Sequence, residues 1–215
     1  MKKGIIFDLD GTLWDSSEQV AGAWSEILAK RSETDKRVRR QVTGEDMRGY
    51  MGKTMEVIAA LMLPEVDEKT RMEIMDECGD HENNYLGRHG GNLYPDLEKE
   101  LERLCGKYSL FIVSNCQSGY IETFLEYHKL NKYFADFECP GGTGLGKGEN
   151  IKLVMERNGI EKAVYVGDTQ GDCDSADFAE IPFIHAAYGF GKINREVPAV
   201  YSFSEVFDAA GKLLG

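Results

Sequence analysis

Apolar residues along this chain fall in short, near-continuous runs separated by longer stretches with helical spacing. Residues 4–9 form a compact run that Asp10-Gly11 stops. Residues 108–114 (Tyr-Ser-Leu-Phe-Ile-Val-Ser) form a second run and residues 134–139 a weaker third. Residues 163–167 and 182–186 complete the set. Runs without strict alternation fit strands covered on both faces, as in a parallel sheet. Between them, Leu97, Leu101 and Leu104 recur at helical spacing over 96–107. Ile121, Phe124 and Leu125 do so over 120–128, and Ile151, Val154 and Met155 over 149–158, where Asn158-Gly159 reads as a helix stop. A further helix is expected over 173–180. Helix and strand thus alternate from residue 96 onward. That predicts an α/β fold with a doubly wound, mostly parallel, Rossmann-like sheet.

Residues 15 to 89 follow a different pattern, with no convincing strand. Val20, Trp24, Ile27 and Leu28 make one helical stripe. Further helices are expected at 35–42, 46–62 and 68–86. The block is too large for a loop. It reads as a helical domain inserted over a core made of 1–14 and 90–215, with Leu93-Tyr94-Pro95-Asp96 as the return hinge.

Composition narrows the class. Hydrophobic residues are 42% and charged residues 29%, which excludes disorder and collagen-like structure. A chain of 215 residues buries about 70% of its unfolded surface and needs no staple to fold. Asp+Glu outnumber Lys+Arg by 37 to 25, a net charge of −12. Such a surface repels phosphate backbones, so no nucleic-acid partner is expected, and any phosphate site must be built locally. Asp8 ends the apolar stretch after Lys2-Lys3 too soon for a secretory signal, and no window approaches the ~20 apolar residues of a membrane span. A cytoplasmic protein with no membrane partner is the expectation; oligomeric state is not legible. The five cysteines form no C-x-x-C pair and are expected to be reduced thiols.

In open α/β sheets, ligands bind beyond the carboxyl ends of the strands. Those ends present Asp8, Asp10, Gly11 and Thr12; Ser114 and Asn115; Gly146-Lys147; and Asp168, Thr169 and Asp172. Carboxylates crowded together repel unless a cation lies between them, and an oxygen-only donor set selects Mg²⁺ over zinc or copper. Asp8 and Asp10 can both face one site only if the strand bends at its end, which Gly11 permits. Lys147 and the metal could hold a phosphoryl group, with Ser114 and Thr12 donating hydrogen bonds. A carboxylate beside that group could attack phosphorus. A second could shuttle the proton.

Asp8-Leu9-Asp10-Gly11-Thr12-Leu13 resembles the first signature of the haloacid dehalogenase-like hydrolase superfamily. Ser114-Asn115, Lys147 and Gly167-Asp168-Thr169-x-x-Asp172 resemble its other three, in order. The helical block is similar to the cap of the branch that holds phosphoglycolate phosphatases and β-phosphoglucomutases. The resemblance implies a Mg²⁺-dependent phosphatase acting on a small phosphorylated metabolite through an aspartyl-phosphate. It implies Asp8 as nucleophile and metal ligand, Asp10 as general acid/base with its carbonyl on the metal, and Asp168 as the other metal carboxylate. Asp172 would orient a metal water or Lys147. Thr12, Ser114, Asn115 and Lys147 would bind phosphoryl oxygens. Pro95-Asp96 stands where relatives commonly have Pro-Gly, and Lys147-Gly148-Glu149 where many have prolines.

The motifs leave other readings open. A sugar phosphomutase or a catalytically silent phosphate-binding protein would share these motifs. A haloalkanoate dehalogenase would not need the acid Asp10. Asp172 could instead serve as a helix N-terminal charge. Gly141–Lys147 nearly fits a nucleotide-binding loop, but Gly148 stands where Ser or Thr should be. Lys36, Arg37, Arg39 and Arg40 read as a solvated helix face. Arg48 and Lys53 follow the Thr43-Gly44 turn and are the candidates for substrate contact from the helical block.

Overall fold

The computed structural model describes residues 2–215. In chain order, β1 (Lys3–Phe7) is followed by the short β2 (Trp14–Asp15). Four helices come next: α1 (Ser17–Thr34), α2 (Gly44–Tyr50), α3 (Met55–Met62) and α4 (Glu68–His89). The chain then forms β3 (Asn92–Leu93), α5 (Leu97–Cys105), β4 (Ser109–Val113), α6 (Tyr120–His128) and β5 (Phe134–Glu138). The remainder is α7 (Pro140–Thr143), α8 (Lys147–Arg157), β6 (Lys162–Gly167), α9 (Gln170–Phe178), β7 (Phe183–Ala186), β8 (Ala199–Val200) and α10 (Val206–Leu214).

Six strands form one parallel sheet in the order β5-β4-β1-β6-β7-β8. Ile5 lies between Leu110 of β4 and Val164 of β6. Side chains alternate along each strand, and here both faces are apolar. Ile6, Phe111 and Tyr165 pack with Ile151, Val154 and Cys173 beneath α8 and α9. Ile5, Phe7, Ile112 and Val166 join Leu101, Phe203 and Val206 on the other face. Each large side chain buried there contributes about 1.5–3 kcal/mol. The chain continues from β1 to β4 on one side and reaches β6 on the other, so the sheet's switch point is the carboxyl end of β1, where such folds bind ligands.

The helical segment leaves and rejoins the sheet through an antiparallel pair, Trp14 opposite Leu93 and Asp15 opposite Asn92. The pair lies at the two ends of the helical block, and residues 16–91 contain no strand, as expected. Trp14 fixes the junction by packing edge-on against Phe124, with ring centroids 5.0 Å apart. No helix forms at 35–42, which corrects the expectation for that segment. Asp35 instead accepts the Arg37 backbone N–H and binds its guanidinium, a local side-chain closure that competes with helix. The Lys36–Arg40 charges therefore lie on a loop, and Arg39 reaches Asp46. The expected helix 46–62 is two helices, broken at Gly52, whose φ of +82° favours glycine. No helix among the described residues is long and apolar enough to cross a membrane.

Candidate active site

The end of β1 is turned by its own backbone. Asp8 N–H donates to the Val166 carbonyl, which continues the sheet by one residue. Thr12 and Leu13 N–H then fold back on the Leu9 carbonyl. Gly11 has φ +79°, and a side chain there would collide with the Asp168 carboxylate. The turn that lays the end of β1 against Asp168 therefore requires glycine at this position.

Asp8, Asp168 and Asp172 are buried, and each offers a carboxylate oxygen within 4.8 Å of the others. Lys147, at the start of α8, places Nζ 2.9 Å from Asp8 Oδ1 and 2.6 Å from Asp172 Oδ1. Asp172 also closes a capping box on Thr169, accepting its N–H at 2.9 Å and its hydroxyl at 2.7 Å. Asp172 thus caps α9 through Oδ2 and meets the Lys147 ammonium through Oδ1. Asp168 Oδ2 accepts N–H bonds from Phe190 (2.7 Å) and Gly191 (3.1 Å), while its Oδ1 is buried with no protein partner.

Electrostatics follow from this crowding. Burial, then the Asp172 charge, pushes Asp8 up to about 6 against the pull of Lys147 and a Ser114 hydrogen bond. Burial, then Asp172 and Asp8, pushes Asp168 up to about 8. Burial opposes the charge on Lys147, but Asp172 and Asp8 outweigh it and raise its pKa. An orphaned oxygen beside excess negative charge, with oxygen donors only, fits a hard divalent cation such as Mg²⁺. Asp8 and Asp168, with Asp172 beside them, are the residues that could hold it.

The Asp10 side chain turns to the other side of the site. Its Oδ1 accepts hydrogen bonds from Ser16 Oγ (2.7 Å) and the Tyr120 hydroxyl (2.9 Å). Burial pushes it up to about 7. It faces a small cavity that Lys53 also lines. Arg48 is not among the cavity residues; it pairs with Asp15 and Glu18. Asn115 Nδ2 donates to the Gly52 carbonyl at 3.1 Å, which ties the α2–α3 loop to the sheet. Thr12 Oγ1 is buried without a partner. Glycines 141–146 belong to α7 and the turn that feeds Lys147 into the cluster, and Gly146 N–H donates to Glu149 within the chain. Ser16, Tyr120 and the Phe190–Gly191 amides are site residues that strand-end reasoning does not reach, because they come from a helix entry, another helix and a late loop.

The profile of the haloacid dehalogenase-like hydrolase family matches residues 5–186. The chain belongs to this family. It is 28% identical over 200 residues to a phosphoglycolate phosphatase of Aliivibrio fischeri, covering 87% of this chain and 85% of that one. It is 28% identical over 202 residues to a phosphoglycolate phosphatase of Aquifex aeolicus, covering 90% and 89%. A haloacid dehalogenase-like family hydrolase of Streptococcus pneumoniae has the same fold, with a TM-score of 0.81 at 21% identity over 96% of this chain and 97% of that one. Among haloacid dehalogenase-like hydrolases, then, this chain keeps the parallel core with a helical segment between β2 and β3.

Proposed function

We propose that this haloacid dehalogenase-like hydrolase is a Mg²⁺-dependent phosphoric monoester hydrolase acting on a small phosphorylated metabolite, with Asp8 as nucleophile. The observation that carries the reading is the Lys147 ammonium bound to both Asp8 and Asp172 beside Asp168. Asp8 attacks phosphorus and forms an aspartyl-phosphate as the ester oxygen leaves. Asp10, held by Ser16 and Tyr120 and raised to about 7, gives that oxygen a proton and later takes one from the attacking water. Lys147, Ser114, Asn115 and Thr12 bind the phosphoryl oxygens, and the orphaned Thr12 hydroxyl is free to donate. When bound, Mg²⁺ would offset the charge of the carboxylates and of the transferring group.

The α2–α3 loop supplies the cover. Gly52 accepts from Asn115, and a Cβ at Gly52 would come within 2.9 Å of Thr169. Such contact at the site entrance excludes bulk water during transfer. The phosphatase names of the relatives at 28% identity support the reaction class. Release of inorganic phosphate from p-nitrophenyl phosphate tests the reading. Activity should need Mg²⁺, vanish with EDTA and be lost in Asp8→Asn. Activity that survives EDTA, or that only zinc restores, contradicts it.

A further inference from the structure

The cavity beside Asp10 has a volume of about 40 Å³. A water needs roughly 10–15 Å³ of such space, so the cavity takes a few waters or one small organic group. Asp10 and Tyr120 form its core side; Trp24, Met51, Ile58 and Glu82 form its helical side. It adjoins the acid that serves the leaving group, so the alcohol of the ester belongs here.

Glu82 breaks the apolar pattern of this wall. It is 4% exposed and lies on the buried face of α4 between Cys78 and Leu86. Its Oε2 accepts the Trp24 indole N–H at 2.6 Å, and Gln117 lines the same cavity. Both neighbours are neutral, so they orient the carboxyl without bringing a cation to it. Among the described lining residues the one cation is Lys53. Its ammonium is exposed and bonded to the Gly49 carbonyl at 2.7 Å. The buried part of the cavity therefore offers two carboxyls and an apolar wall.

A carboxylate on the alcohol would be desolvated between Asp10 and Glu82, while the Lys53 ammonium is exposed and engaged by the Gly49 carbonyl. A hydroxyl would find a fixed carboxyl to bond, and an alkyl stem would find Met51 and Ile58. We infer that Glu82 selects phosphate esters of small uncharged alcohols that carry a further hydroxyl, and that the cavity rejects esters whose alcohol bears a carboxylate. This deepens the phosphatase reading and rests on it. Phosphoglycolate, the substrate in the names of the relatives, falls in the rejected class.

The test is kcat/KM for glycerol 3-phosphate, propyl phosphate and 2-phosphoglycolate, with p-nitrophenyl phosphate beside them, on wild type, Glu82→Leu and Glu82→Gln. Ratios between esters are read, because partial misfolding lowers all of them alike. Wild type should prefer glycerol 3-phosphate to phosphoglycolate by about 10-fold or more. Glu82→Leu should cut the glycerol-to-propyl ratio by about 10-fold, and Glu82→Gln should restore most of it. A wild-type preference for phosphoglycolate, especially one lost in Lys53→Met, overturns the inference. So does a glycerol-to-propyl ratio that Glu82→Leu leaves unmoved, or hydrolysis of p-nitrophenyl phosphate and none of the other three. No phosphate release from any ester overturns the phosphatase reading and this inference with it.

Discussion

Lys147 binds Asp8 at 2.9 Å and Asp172 at 2.6 Å, and all three side chains are buried. The first turns of α8 and α9 supply Lys147 and Asp172, so the packing of these two helices aims a cation at the end of β1. Removing one partner of a buried ion pair leaves the other charge unmatched, which costs about 3–5 kcal/mol. Lys147→Met should therefore lower the thermal midpoint sharply and abolish turnover. Added Mg²⁺ should recover part of the lost midpoint, because it meets the same carboxylates. Thermal denaturation with and without Mg²⁺ reads both effects, and a midpoint within experimental error of wild type contradicts the role given to the ammonium.

Asp10 should matter in proportion to the basicity of the departing oxygen. General acid catalysis contributes about 10²–10⁴-fold where the leaving group needs a proton, and little where it does not. Asp10→Asn should slow release of an alkyl alcohol far more than release of p-nitrophenolate from the first step. Pre-steady-state bursts on the two ester classes separate that step from hydrolysis of the intermediate. Equal losses on both would assign Asp10 to geometry alone.

Glu82 carries a pH dependence of stability with a definite sign. Burial pushes it from its usual 4.5 up to about 8, with Trp24 opposing and the Asp10 charge adding. The folded chain thus holds a proton that the unfolded chain has released between these values. Stability from this group is present below the lower value and is lost as pH rises through the higher one. The thermal midpoint of wild type should fall relative to Glu82→Gln from pH 5 to pH 8.5. Trp24 fluorescence should titrate over the same range in wild type and stay flat in the variant. A midpoint difference independent of pH contradicts a buried protonated Glu82.

Asp96 sits at φ +61°, in the left-handed region, where its side chain makes no capping bond to α5. Aspartate tolerates this region poorly compared with glycine. The departure from Pro-Gly visible in the sequence is therefore a strained position. Asp96→Gly should raise stability by about 0.5 kcal/mol, once the extra chain entropy of glycine is subtracted. A shift of that size moves the thermal midpoint by about 1–2 °C. A drop would mean that the aspartate has an unrecognised partner.

The sheet was legible because its strands are apolar on both faces, and the residues at their ends could be read off in order. Asp8, Lys147, Asp168 and Asp172 meet in space because the strand order brings β1 and β6 together and packs α8 against α9. The helical segment was less legible, since its details depend on local competition. Asp35 closes on Arg37 where a helix was expected, and Gly52 splits another. The final strand and helix, β8 and α10, are too short or too late in the chain to have stood out. Ser16, Tyr120 and the Phe190–Gly191 amides support the site from distant parts of the sequence, which spacing cannot reveal. Glu82 did leave a signal: it falls on the stripe of Met75, Cys78 and Leu86, a lone carboxyl on an apolar helical face.

The nucleophile is tested most directly by trapping it. In Asp10→Asn, p-nitrophenyl phosphate should still transfer its phosphoryl group, because the nitrophenolate needs no acid, while the water step loses its base. Enzyme mixed with this ester and Mg²⁺, quenched in acid and digested, should yield the peptide containing Asp8 with one added phosphoryl group. Asp8→Asn in the same background should yield none. A phosphoryl group on any other residue, or continued turnover in Asp8→Asn, would contradict the account.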